Sequence, residues 1–174
     1  MAHADAVEIE VPPTVARLDL FDRVDYEDAF LVKPASGRSP EQVMRDVLEG
    51  APTWFLQAWS NVLGRAVLGE ALDLRPSPDR IAGWTIVTNA SDLIAIAFDT
   101  PRGLDARLFA VTSIDKEIVG TQIRLNTTYA RRWWPVIRAG HRFILPRLVR
   151  RSARRAAANG PPSPAAEPRS TPAE

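Results

Sequence analysis

Only two imidazoles are present in the 174-residue chain, His3 and His141, and there is no cysteine. Thiolate nucleophiles, disulfides and cysteine-ligated zinc or iron–sulfur sites are therefore excluded. With His3 in the leading segment, the body of the chain has no second histidine for a multi-histidine metal site, and neither metal nor cofactor is expected. Glycine-rich phosphate loops, a Gly-x-Ser-x-Gly elbow and a His-Glu-x-x-His pair are absent. A Ser-His-Asp triad would have to use His141, and no serine stands in a telling local context. Asp99 and Asp105 flank a strand turn, where solvated loop acids belong. That leaves His141, on an apolar arc with Ile137, Ile144 and Leu145. There it either makes one hydrogen bond inside a core or serves a ligand as donor, acid or base.

Two further features could carry binding. The five tryptophans are Trp54, Trp59, Trp84, Trp133 and Trp134, and large aromatics ordinarily fill cores. The arginines are placed unevenly. Residues 1–117 hold 19 acidic against 11 basic side chains, whereas residues 118–166 hold ten arginines and no acid. Arg131, Arg132, Arg138, Arg142 and Arg150 fall on the arc opposite His141. They form either a solvated helix face or a contact for an anionic membrane surface. Nucleic acid is the weaker alternative, because no aromatic–basic interleaving or known binding motif accompanies them.

The elements that position these residues follow from periodicity. A strand is predicted over residues 28–33. Ser39, Pro40 and Gln42 then read as a helix start with a capping box, and Val43, Val47 and Leu48 as its inner stripe up to Gly50. A second helix is predicted over residues 52–67, with Phe55, Trp59, Val62, Leu63 and Val67 at helical spacing and Gly69 as its stop. The period then shortens. Residues 84–88, 93–98, 105–114 and 117–129 read as strands joined by short turns, which implies antiparallel neighbours. In the last of them Val119, Thr121, Ile123, Leu125 and Tyr129 share one face, and Gln122, Arg124, Asn126 and Thr128 share the other, expected to meet solvent. Residues 130–158 read as a helix whose apolar arc holds Trp133, Ile137, Gly140, His141, Ile144 and Leu148, with a kink or break expected at Pro146.

A strand, two helices, a run of antiparallel strands and one long C-terminal helix: this order resembles the helix-grip superfamily of START-like lipid-transfer domains, birch-pollen-allergen-like proteins and polyketide cyclases. Residues 25–30 (DYEDAF), 83–87 (GWTIV), 131–135 (RRWWP), 140–144 (GHRFI) and 148–151 (LVRR) are similar to an uncharacterised, actinobacterial-looking family of that kind. The resemblance implies an α+β fold in which a curved antiparallel sheet grips the long helix, with two short helices and an apolar cavity between sheet and helix. Trp84, Tyr129, Trp133 and His141 would then line a pocket suited to a small hydrophobic molecule, lipid- or polyketide-like. A cyclase or dehydratase on the same scaffold is the enzymatic alternative. An interaction module using the arginine face is the third reading.

The domain is expected to span residues 21–155, with residues 1–20 loosely ordered. Residues 159–174 carry five prolines and no large apolar side chain, so a disordered tail is expected from residue 156 onward. The N-terminus has neither a basic start nor an apolar core of a secretory signal. The longest charge-free apolar stretch, residues 51–64, falls short of the roughly 20 residues that span a bilayer. A cytoplasmic protein is therefore expected.

Overall fold

The computed structural model describes residues 5–16, 20–33, 35–69, 72–75 and 77–159. The elements in chain order are β1 (Asp5–Ile9), α1 (Pro13–Ala16), β2 (Tyr26–Lys33), α2 (Pro40–Leu48), α3 (Thr53–Ala58), a π-helical segment (Trp59–Leu68), β3 (Arg80–Ile81), β4 (Trp84–Asn89), β5 (Leu93–Asp99), β6 (Leu104–Thr112), β7 (Glu117–Leu125) and α4 (Thr128–Asn159). The seven strands form one sheet in the order β1-β2-β7-β6-β5-β4-β3, antiparallel throughout. Strands β3 to β7 are a simple meander, and β2 closes onto the free edge of β7. This is the helix-grip architecture, with a curved sheet holding α4 across one face.

Local chemistry sets the elements. Ser39 Oγ accepts from the Gln42 amide (3.2 Å) and Gln42 Oε1 accepts from the Ser39 amide (2.9 Å), the reciprocal capping box that opens α2. The β3–β4 hairpin turns through Ala82 and Gly83, both at positive φ (49° and 86°), the combination a two-residue turn needs to match strand twist. A side chain at Gly83 would in addition meet the Asp73 carbonyl and Leu72 Cβ at 3.0 Å. Gly69 at φ 86° stops the π-helical segment. α4 continues through both Pro135 and Pro146, so of the kink or short break expected at Pro146 the break does not occur.

The sheet is covered on both faces. On the α4 side, Phe30, Val32, Ile94, Ile96, Leu108 and Val119 pack with Val43, Met44 and Val47 of α2 and with Ile137, Leu145 and Val149 of α4. On the opposite face Phe109, Ala29, Ala95 and Ile118 pack under Val15 and Val11 of the leading segment. Two expectations are corrected here. Residues 5–16 are an edge strand and a helical turn docked on the domain, where a loose segment over residues 1–20 was expected. Of the face expected to meet solvent, Asn126 and Thr128 are exposed, but Gln122 and Arg124 are not. Gln122 is buried and donates to Glu27 (3.2 Å), and Arg124 bridges Asp105 (2.9 Å) and Asp22 (2.8 Å) over the Phe21 ring. Residues 156–159, expected to begin a disordered tail, continue α4, and the rest of that expected tail lies outside the described residues.

A buried ionic node ties the helices to the sheet. The Glu117 side chain, 1% exposed, accepts from Arg38 (2.7 Å), from the Ser36 amide (2.8 Å) and from the Ser36 hydroxyl. Arg38 also donates to Ser152 of α4 (2.8 Å) and to Asp46 of α2 (2.7 Å). Removing one partner of such a pair leaves a buried charge uncompensated. Arg38→Ala is expected to lower the unfolding free energy by about 3 kcal/mol, measured by urea denaturation. A loss below about 1 kcal/mol would place the Glu117 carboxylate in reach of water.

Candidate functional site

β2 and β7 run side by side, and the register sets Asp28 opposite Thr121 and Tyr26 opposite Ile123. Residues i and i+2 of a strand share a face, so Tyr26 and Asp28 both point toward α4. α4 begins a few residues beyond β7 and returns over that face, which lowers His141 onto the same spot. The Tyr26 hydroxyl donates to Asp28 Oδ2 (2.7 Å), and His141 Nε2 lies 3.0 Å from the same oxygen. A carboxylate offers lone pairs only, so Nε2 carries the proton of that bond. The Asp28 side chain is 1% exposed and that of His141 14%.

Of this cluster, His141 lines an apolar cavity of about 90 Å³ bounded by the sheet, α4, α3 and the π-helical segment. Trp59, Trp84, Trp134, Phe55, Leu108 and Ile144 supply much of the lining. Indole groups aside, the polar side chains on the wall are Thr121 and His141. Two polar atoms among the described residues are buried without a partner, Asp28 Oδ1 and Thr121 Oγ1. They belong to residues directly opposite one another, whose Cβ atoms sit about 5 Å apart in an antiparallel pair. Each unpaired group costs about 1–3 kcal/mol, so two together are an unusual expense in an otherwise satisfied core.

The surroundings are cationic as well as apolar. Arg138 lies over the Tyr26 ring, 5.1 Å from its centroid, and Trp134 meets that ring edge-on at 5.0 Å. Arg142 pairs with Glu8 (2.9 Å). Its guanidinium is held above its ordinary value by the Glu8 charge first, then by Tyr26 and Asp28. Burial, followed by the hydrogen bond to Asp28 and the charge of Asp28, pushes the Tyr26 phenol up to about 12.

His141 and Trp84 line the cavity as expected, but Tyr129 and Trp133 do not. Tyr129 is 37% exposed and takes a hydrogen bond from Arg102 (2.7 Å), and Trp133 is 39% exposed. The inner position belongs to Trp134, one residue along. Of the arginines named from the sequence, Arg131, Arg132, Arg138 and Arg142 are exposed and Arg150 is partly buried; Arg131 donates to the Leu125 carbonyl (3.3 Å), Arg138 covers Tyr26, Arg142 pairs with Glu8 and Arg150 donates to the Ala6 carbonyl (3.1 Å). Arg147, Arg151 and Arg154, which were not singled out, stand exposed. Asp105 is buried beside Arg124 and Asn126, not solvated, whereas Asp99 pairs with Arg107 at the surface. Tyr26 and Asp28 were missed, although Tyr-x-Asp on a strand places both side chains on one face.

No family model, curated protein or solved structure was found to match the chain. Among the described residues no group of three or more His, Cys, Asp or Glu side chains could hold a metal ion, and no helix is long and apolar enough to cross a membrane.

Because the folded-state value of Tyr26 is raised from 10.0 to about 12, the stability it contributes is fully present below pH 10 and is lost as pH rises through about 12. Tyr26→Phe removes the group that titrates. The urea midpoint of the native chain is expected to fall more steeply than that of the variant over that alkaline window. Parallel alkaline limbs would mean that the phenol does not bond to Asp28.

Proposed function

We propose that the protein binds a small hydrophobic molecule in the cavity between sheet and α4, with Thr121 and His141 as the polar side chains on its wall. The observation that carries this reading is an apolar wall interrupted by two polar side chains, Thr121 and His141, the combination by which pockets fix orientation. A volume of about 90 Å³ lies well below the roughly 300–1,000 Å³ of pockets for drug-sized ligands. It accommodates a body of a few heavy atoms. A lipid- or polyketide-sized occupant requires α3 and the π-helical segment to move away from α4. Native mass spectrometry of the gently purified full chain is expected to show an added small mass that Ala106→Phe, which fills the cavity, abolishes. A chain that sprays bare, and whose melting temperature no small apolar compound raises, would overturn the reading.

A second reading rests on the outer face of α4. Tyr129, Trp133, Val136 and Phe143 are exposed, and at 100° per residue they continue into Arg147, Arg151 and Arg154. α4 carries nine arginines and no acid. Aromatic and aliphatic anchors followed by cations suit the headgroup layer of an anionic bilayer. Vesicles containing phosphatidylserine are expected to sediment the protein, less so at high salt and less after combined Arg147→Gln, Arg151→Gln and Arg154→Gln substitution. Equal sedimentation with neutral phosphatidylcholine vesicles would show that charge has no part in it.

A further inference from the structure

Toward its C-terminal end α4 gathers five arginines and no acid around an open concavity of about 450 Å³, lined by Arg147, Arg150, Arg151, Arg154, Arg155 and Ala158. At 100° per residue the arginines spread over one arc, with Arg150 at one border and Arg155 at the other. Both borders are tied to the body. Arg150 donates to the Ala6 carbonyl of β1 (3.1 Å) and Arg155 to the Asp46 carbonyl of α2 (2.9 Å). Arg155 lies directly on Gly50, where an added Cβ would come within 1.6 Å of its Nη2. Between the borders Arg147 rests on the Phe143 ring, 3.4 Å from its centroid. The exposed Arg151 and Arg154 meet no acceptor among the described residues.

Side chains three and four apart on a helix are neighbours. Arg147 therefore faces Arg150 and Arg151, Arg150 faces Arg154, and Arg151 faces Arg154 and Arg155. All of these are contacts between like charges, which disfavour a helix. The helix dipole favours cations within the last turn, and α4 runs on to Asn159, beyond all five. The carboxylates of Glu8 and Asp46, on the elements that the border arginines reach, are already paired with Arg142 and Arg38. An anion in the concavity would relieve the repulsion.

We infer that this concavity binds a compact group carrying adjacent phosphates, either a free oligophosphate or a polyphosphorylated lipid headgroup. The lipid source rests on the membrane reading above; the site itself does not. A guanidinium fork pairs bidentately with phosphate oxygens and keeps its charge at any physiological pH. A single orthophosphate can occupy only some of the forks and leaves the other cations facing one another. Arg147 and Arg155 stand about 12 Å apart along the helix axis, so the ligand must hold several negative charges close together. On the same arc toward the N-terminus, Phe143, Val136 and Trp133 are exposed, so an acyl chain leaving a headgroup there would meet apolar side chains.

The test is calorimetric titration of the full-length chain with inorganic triphosphate and with orthophosphate, in about 0.15 M salt where the Debye length is about 8 Å. Triphosphate is expected to bind saturably and about tenfold tighter or more than orthophosphate. Arg151→Gln and Arg154→Gln, both at exposed positions, are each expected to weaken it about fivefold. Arg132→Gln removes the same charge about 22 Å along the helix from Arg147, and is expected to leave the affinity within about twofold. Absence of saturable triphosphate binding would overturn the site. An Arg132→Gln loss equal to that of Arg154→Gln would overturn it too, since attraction would then be diffuse. Vesicles distinguish the sources: phosphatidylcholine doped with phosphatidylinositol bisphosphate is compared with phosphatidylcholine doped with phosphatidylserine at equal total charge. Stronger sedimentation with the bisphosphate supports the headgroup, and triphosphate binding without that preference supports the free oligophosphate. Sedimentation by the phosphatidylserine vesicles with no triphosphate binding would overturn this inference and leave the membrane reading standing.

Discussion

Everything at the candidate site depends on the pairing of β2 with β7, two strands almost a hundred residues apart in the chain. Its register puts Asp28 beside Thr121 and Tyr26 beside Ile123. A slip of one residue would turn one strand's pair, Tyr26 and Asp28 or Thr121 and Ile123, to the other face. The pairing is held by space as much as by hydrogen bonds. A Cβ added at Gly120 would lie 2.4 Å from both the Asp28 carbonyl and the Phe109 ring, so only glycine allows the strands and the Phe109 layer to approach this closely. Burial on both faces then makes any slip expensive, because each face has its own apolar set. Since β7 leads straight into α4, the same register also decides which turn of α4 comes down over Asp28.

A carboxylate this deeply buried is tolerated only with partners. Tyr26 and His141 supply them, one from the same strand and one from α4, and both use the same oxygen. The arrangement is asymmetric: one oxygen of Asp28 is doubly satisfied and the other is not. Glu117, elsewhere in the same sheet, shows the contrasting case. Its two oxygens are taken up by Arg38 and Ser36, and the residue reads as a structural tie. These two buried acids of one sheet therefore differ in completeness, and the unsatisfied oxygen of Asp28 is the one that calls for an explanation.

Much of the scaffold was legible because it rests on local rules. The capping box of α2, the Gly69 stop, the alternation along β7 and the long C-terminal helix all follow from spacing within a few residues. β1 was not legible, since an edge strand made of Asp5 to Ile9 carries little apolar pattern and owes its order to β2 and to arginines of α4. The site was half legible. His141 and Trp84 have apolar neighbours at the right intervals. Asp28 looks like any acid at a strand start until β7 is laid beside it. The Trp133–Trp134 step shows another limit. Adjacent identical residues on a helix differ by 100°, and only the docking of α4 on Tyr26 decides which ring turns inward.

The tryptophans also join two roles that sequence reasoning kept apart, filling a core and lining a pocket. Trp59, Trp84 and Trp134 come from the π-helical segment, the sheet and α4 respectively. Each is packed against the main core while presenting a face to the cavity. The space between them is small because indole rings are large, so the groups that stabilise the domain also limit what can enter it. Three rings that packing holds in place therefore set the size of anything the cavity could hold.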